Sequence, residues 1–197
     1  MKTSNSAHLL VRYKAITTEH PWMTESAIRK MTDAIIYAND GLTVKLMKLN
    51  DLADEISAAL AKHTPCHEGC SSCCKMVTMV YEHEAERLAN ASGWKMRRLP
   101  YSLPDVALQK AQRHVGKKCP FLIDNRCSVY ADRPIICRLH NSLHKDESLC
   151  DVNAPLLQRI ARPFFDPDYV EMPYHRLNLA HRPKEPWGAI HDFFPDY

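Results

Sequence analysis

At 197 residues and a formal net charge of +3, the chain is long enough to bury a core without covalent staples. That charge is too small to imply a nucleic-acid partner by itself, and no run of 18 apolar residues exists to span a membrane. Residues 1–10 have neither the apolar stretch nor the cleavage site of an export signal, so the expected compartment is the cytoplasm, where thiols stay reduced.

Residues 1–22 show no periodicity before Leu9, Leu10, Val11 and Ile16, and no element is predicted there. Thr24 suits an N-cap and Glu25 a first helical turn; Ala27, Ile28, Met31, Ile35 and Ile36 continue as an i, i+3/i+4 stripe, with Gly41 fitting the C′ position. A second helix is predicted over 43–62, striped by Val44, Met47, Leu52, Ile56, Ala59 and Leu60, with Asn50-Asp51 a candidate break. The pair should form a helical hairpin. Residues 75–81 read as extended, and a helix over 82–92 is closed by Gly93. Another starts at Ser102-Leu103-Pro104 and ends near Gly116. Residues 119–123 and 126–130 flank Asp124-Asn125 as a hairpin. Asp132-Arg133-Pro134 opens a helix through Cys137 and His140, and Asn153-Ala154-Pro155 opens a short one through Ile160. Beyond Pro163, prolines leave room for a helix only over 174–180, while Phe164, Phe165, Tyr169, Trp187, Phe193 and Phe194 imply a tail that wraps the rest. The expected fold is mainly α: a small irregular α(+β) domain with metal-stapled loops, one short β-hairpin and an N-terminal helical hairpin. Its expected divisions are a helical extension (1–62), a cysteine-cluster metal-binding domain (63–150) and a proline- and aromatic-rich wrap (151–197).

Eight cysteines dominate the middle: Cys66, Cys70, Cys73, Cys74, Cys119, Cys127, Cys137 and Cys150. Short spacers let thiolates converge on one metal from a single turn, so Cys66, Cys70 and Cys73 can face one point. Adjacent side chains diverge, which puts Cys74 on a different metal or behind the ligands. Gly69 allows a tight loop with N–H groups turned toward sulfur. Cys119-Pro120 echoes the ferredoxin run in which the last ligand precedes proline. Four disulfides fail on compartment, and Cys73-Cys74 cannot pair without a distorted peptide. A buried free thiol is the plain alternative for Cys150. All eight stand as candidate ligands. An iron–sulfur cluster, 4Fe–4S ahead of 2Fe–2S, is the first choice of cofactor and zinc the alternative.

These motifs carry a resemblance. The Cys-x3-Cys-x2-Cys-Cys run at 66–74, Cys119-Pro120-Phe121-Leu122, Cys127-Ser128-Val129-Tyr130 and Arg133-Pro134-Ile135-Ile136-Cys137-Arg138 are similar to those of the cysteine-cluster family of zinc- or iron-chelating proteins. The likeness spans about residues 63–150. It implies metal or cluster binding and assigns no reaction. A similar motif occurs in relatives of flagellin lysine methylases, which implies protein modification as one activity. The family often has an aromatic residue after Cys-Arg-x; here His140 stands there.

Other constellations carry competing readings. Cys66-x3-Cys70-x2-Cys73 also satisfies radical-SAM spacing, but Ser72 replaces the usual aromatic and no βαβ alternation is visible. Cys137-x2-His140-x3-His144 has zinc-like spacing for a helix face. Arg133 and Arg138 serve either to offset cluster charge or to fix a loop through ion pairs. Glu82 and Glu84 read as general bases or as helix-start carboxylates. Residues 95–118 hold seven Lys and Arg against Asp105 alone, a patch for an acidic partner or a solvated face. The functional readings are an iron–sulfur protein with a redox or modification role, and a zinc-stapled module that recruits a protein or acidic partner.

Overall fold

The computed structural model describes residues 3–150 and 168–197, and these form a mainly α fold with a little β. The predicted helix at 153–160 lies outside the described residues.

Helix α1 (Thr3–Glu19) occupies the stretch for which no element was expected. Its pattern is weak because Leu10 and Val11 stay exposed while Ile16 is buried. Polar ties hold it: Arg12 donates to the His63 carbonyl, and Glu19 bonds Lys62 and His63, each at 2.9 Å. Helix α2 (Glu25–Tyr37) starts as predicted, with the Thr24 hydroxyl accepting from Ala27 N–H. Gly41 does not end α2; it is the N-cap of α3 (Leu42–Leu60), at an ordinary φ of −68°. Asn50 does not break α3, because its Nδ2 donates to the Leu46 carbonyl inside the core.

Helix α4 (Glu82–Ser92) is closed by Gly93 at φ 72°, the left-handed conformation that glycine adopts without a Cβ penalty. Helix α5 (Pro104–Ala111) and the short α6 (Ile135–Leu139) follow. Helix α7 (Asp168–His181) is longer than expected and holds Pro173. An interior proline costs roughly 3 kcal/mol. Burial of Val170, Tyr174 and Leu177, at about 1.5–3 kcal/mol for each large apolar side chain, outweighs it. Helix α8 (Ile190–Phe193) ends the chain's regular structure.

Two pairs of short strands complete the fold. The predicted hairpin joins β2 (Leu122–Ile123) to β3 (Arg126–Cys127), with Asp124 and Asn125 at φ 48° and 59° in the turn. The second pairing escaped the sequence reading: β1 (Met79–Tyr81) lies antiparallel to β4 (Trp187–Ala189), 106 positions apart from Tyr81 to Trp187.

The interior divides into two clusters. The first takes Ile16 and Ile28, α3 residues such as Leu49 and Ile56, then Tyr81, Ile135 and Leu139, and Val170 and Tyr174 of α7. All three expected segments of the chain thus contribute to one core. The second gathers Val80, Leu88, Phe121, Val129, Ile190, Phe193 and Phe194, with Cys119 and Cys127 packed against it. Strand β1 separates them, since Val80 faces one and Tyr81 the other. Among the described residues no helix is long and apolar enough to cross a membrane.

Candidate metal centre

The first cysteine run folds as a tight turn followed by one turn of 3-10 helix. Gly69, at φ 90°, makes the turn, and Cys70 N–H bonds the His67 carbonyl at 3.0 Å. Cys73–Lys75 is the 3-10 turn, closed by Met76 N–H on the Cys73 carbonyl. The Cys74 carbonyl accepts the Cys119 N–H at 2.7 Å, so the backbone itself joins the first run to the hairpin. Two side-chain contacts add to this tie, Ser71 Oγ to Asn125 Oδ1 at 3.2 Å and Arg126 to Glu68 at 3.2 Å.

Cys119 stands just before β2 and Cys127 ends β3 opposite Leu122. Ser128 N–H on the Phe121 carbonyl keeps their loop closed. Cys137 comes from α6, whose start is fixed from outside: buried Glu84 accepts the Ile135 N–H at 3.1 Å and the Tyr81 N–H at 3.0 Å. Glu84 is therefore the helix-start carboxylate rather than an accessible base, and Glu82 pairs with Arg98. Arg138 locks the segment before Cys137. It donates to the Arg133 and Ala131 carbonyls and pairs with Asp54 of α3. Arg87 of α4 donates to the Asp132 and Arg133 carbonyls. Arg133 lies over the Tyr130 ring at 3.6 Å and reaches Asp54 at 3.5 Å.

Cys73, Cys119, Cys127 and Cys137, brought from four segments, come within electrostatic reach of one another. A hydrogen bond with Cys74, and then desolvation of the sulfur, push the Cys73 thiol far up, although the residue as a whole is exposed. Burial does the same to Cys137, reinforced by Cys119, Cys73 and Cys127. Burial pushes Cys119 up to about 11, against the Phe121 N–H donated to its sulfur. Cys127 is raised by burial against the Val129 N–H and the Arg133 charge, and Cys70 by burial against the Ser72 N–H. Three sulfurs, those of Cys70, Cys119 and Cys127, thus accept an amide two residues ahead.

Cys70 also bonds Glu147, which brings the turn Glu147–Cys150 beside the first run. Cys150 is half-buried there, whereas Cys66 and Cys73 lie exposed. Among the described residues, no three His, Cys, Asp or Glu side chains converge closely enough to hold one metal ion. The thiols are neighbours rather than a closed ligand shell. Their chemistry nevertheless fits a soft metal, because crowded thiols resist ionising until a cation offsets their charge. Arg133 Nε, buried with no hydrogen-bond partner among the described residues, is a donor that could face negative charge at the thiols.

Cys137, His140 and His144 do not share a helix face, because α6 stops at Leu139 and His140 is its C-cap at ψ 86°. The sequence reading also missed Asp54, Arg87 and the role of Glu84 in holding α6. Asp54 and Glu84 lie 84 and 51 residues from their partners Arg138 and Ile135, so no local pattern marks them.

In comparison with known proteins, residues 65–153 match the model of a family described as "CxxCxxCC: Putative zinc- or iron-chelating domain". No curated protein and no solved structure matches the chain. Over these residues the chain is similar to this zinc- or iron-chelating family, which supports metal binding by the cysteine segment.

Proposed function

We propose that the chain holds an iron–sulfur centre and serves in redox chemistry or protein modification. The observation that carries this reading is the donor set: thiols alone, in surplus over one four-thiolate site, with amide N–H groups on three sulfurs and an Arg133 Nε that has no hydrogen-bond partner among the described residues. Such hydrogen bonds and local charge set the reduction potential of a thiolate-bound cluster. Cys73, Cys119, Cys127 and Cys137 form the proposed principal ligand group, while Cys66, Cys70, Cys74 and Cys150 supply a second site or its surroundings. A bound cluster would contribute electron storage; the protein's residues orient the thiolates and offset their charge.

Protein purified without oxygen should show a broad absorbance shoulder near roughly 400 nm and contain iron with acid-labile sulfide, since zinc is colourless. A colourless preparation containing only zinc would replace the cluster with a closed zinc staple and make the chain a binding module.

A further inference from the structure

Away from the thiols, two histidines face each other where the C-terminal segment meets the turn after α5. The rings of His114 and His191 stack at 4.8 Å with an interplanar angle of 11°. His114 Nε2 lies 2.9 Å from Asp192 Oδ1, which Arg113 also engages. His191 Nε2 lies 2.8 Å from the Lys118 carbonyl. A carbonyl only accepts, so His191 Nε2 carries the ring proton, whereas His114 Nε2 faces both Asp192 and the Arg113 Nε–H, which lies 3.1 Å from it. His191 Nδ1 is then a bare lone pair, and it and His114 Nδ1 are buried with no hydrogen-bond partner among the described residues.

This arrangement disfavours a charged His191 ring. Protonating its Nδ1 creates a buried donor without an acceptor, stacked 4.8 Å from the His114 ring. Arg113 and Lys117 add positive charge around them, and Asp192 supplies the negative charge. We propose that the His114–His191 stack is an acid-released clasp, which at neutral pH holds residues 187–194 against the Lys118 carbonyl next to Cys119 and lets go when the His191 ring is protonated. What it releases is specific: Ile190 N–H on Thr78, Arg97 N–H on Phe193, and support for the Cys119 loop.

His191 is the sensing ring. Burial holds its pKa below the ordinary imidazole value, with His114 and Lys117 pushing the same way. The opened form therefore takes up a proton more readily than the closed one. Closure is complete above the ordinary imidazole value and weakens as pH falls below it. Asp192 stays ionised through that window: burial raises its pKa, but hydrogen bonds from His114 and Arg113 bring it below the usual carboxylate range.

The experiment measures amide hydrogen exchange of residues 187–197 in metal-loaded protein between pH 7.5 and 5.5, with metal content followed in the same samples. Protection should fall about tenfold per pH unit for each proton taken up, and the fall should be largely absent in His191→Gln, whose amide keeps a donor for the Lys118 carbonyl. An NMR titration of the His191 ring in the unmodified protein gives a second reading, and its midpoint should coincide with the opening. Equal loss of protection in parent and variant, accompanied by metal release, would assign the effect to thiolate protonation and overturn the clasp. Unchanged protection in the parent, or a ring midpoint away from the opening, would do so as well.

Discussion

A cysteine thiol in this site is shaped by what donates to it. Backbone amides reach three of the sulfurs, and Arg133 lowers the cost of charge at Cys73, Cys127 and Cys137. Replacing a central thiol should therefore cost both metal and fold, since ligand binding and folding are linked. Cys73→Ser and Cys137→Ser are expected to purify with most of the metal lost and to melt well below the parent. Arg133→Ala keeps every thiol, so it should retain the fold while metal affinity falls about 10- to 100-fold, the range for residues that support ligands. Competition with a chelator measures that shift; parent-like retention in Arg133→Ala would mean that its charge does not serve the site.

The short helix α6 cannot hold itself, having only five residues. It is set by Glu84 from α4, by Asp54 from α3 and by the arginines between. Asp54→Ala would leave the buried Arg138 guanidinium without its carboxylate. The expected cost is about 2–3 kcal/mol, less than for a fully buried pair because Asp54 is 45% exposed. Urea denaturation gives the figure, and a loss below about 0.5 kcal/mol would mean that the carbonyls of Ala131 and Arg133 suffice for Arg138. These elements also show what the sequence could disclose. The Thr24 cap, the Gly93 stop and the Asp124-Asn125 turn were legible because their chemistry is local. Helix α1 was not, because its binding relies on Arg12 and Glu19 rather than on an apolar stripe. The β1–β4 pairing was not legible either: each strand has only three residues, and its partner lies far along the chain. At the site, the thiols were plain in the sequence. Their grouping was only partly so, since it is the fold that brings Cys73 together with Cys119, Cys127 and Cys137.

On the scale of the whole molecule, the ends of the chain are structural members. The C-terminal residues Ile190, Phe193 and Phe194 are buried beside Phe121 and Val129, in the cluster that backs Cys119 and Cys127. Ending the chain after Glu185 would remove β4 and these side chains, each contributing about 1.5–3 kcal/mol. That loss exceeds a small domain's reserve, so the shortened protein should fail to unfold cooperatively and should not retain metal. A cooperative melt at the parent's temperature would contradict this account.

Strand β1 also fixes the phase of the chain. Because Val80 and Tyr81 look in opposite directions, an alanine inserted between them would take the place of Tyr81 and turn its ring toward the cluster that Val80 fills. The same insertion beside the exposed Tyr101, between α4 and α5, should be far better tolerated. Lineages of this fold would then vary in length at surface loops while keeping the count through Met79–Tyr81 invariant, as a keyway admits a key in one orientation.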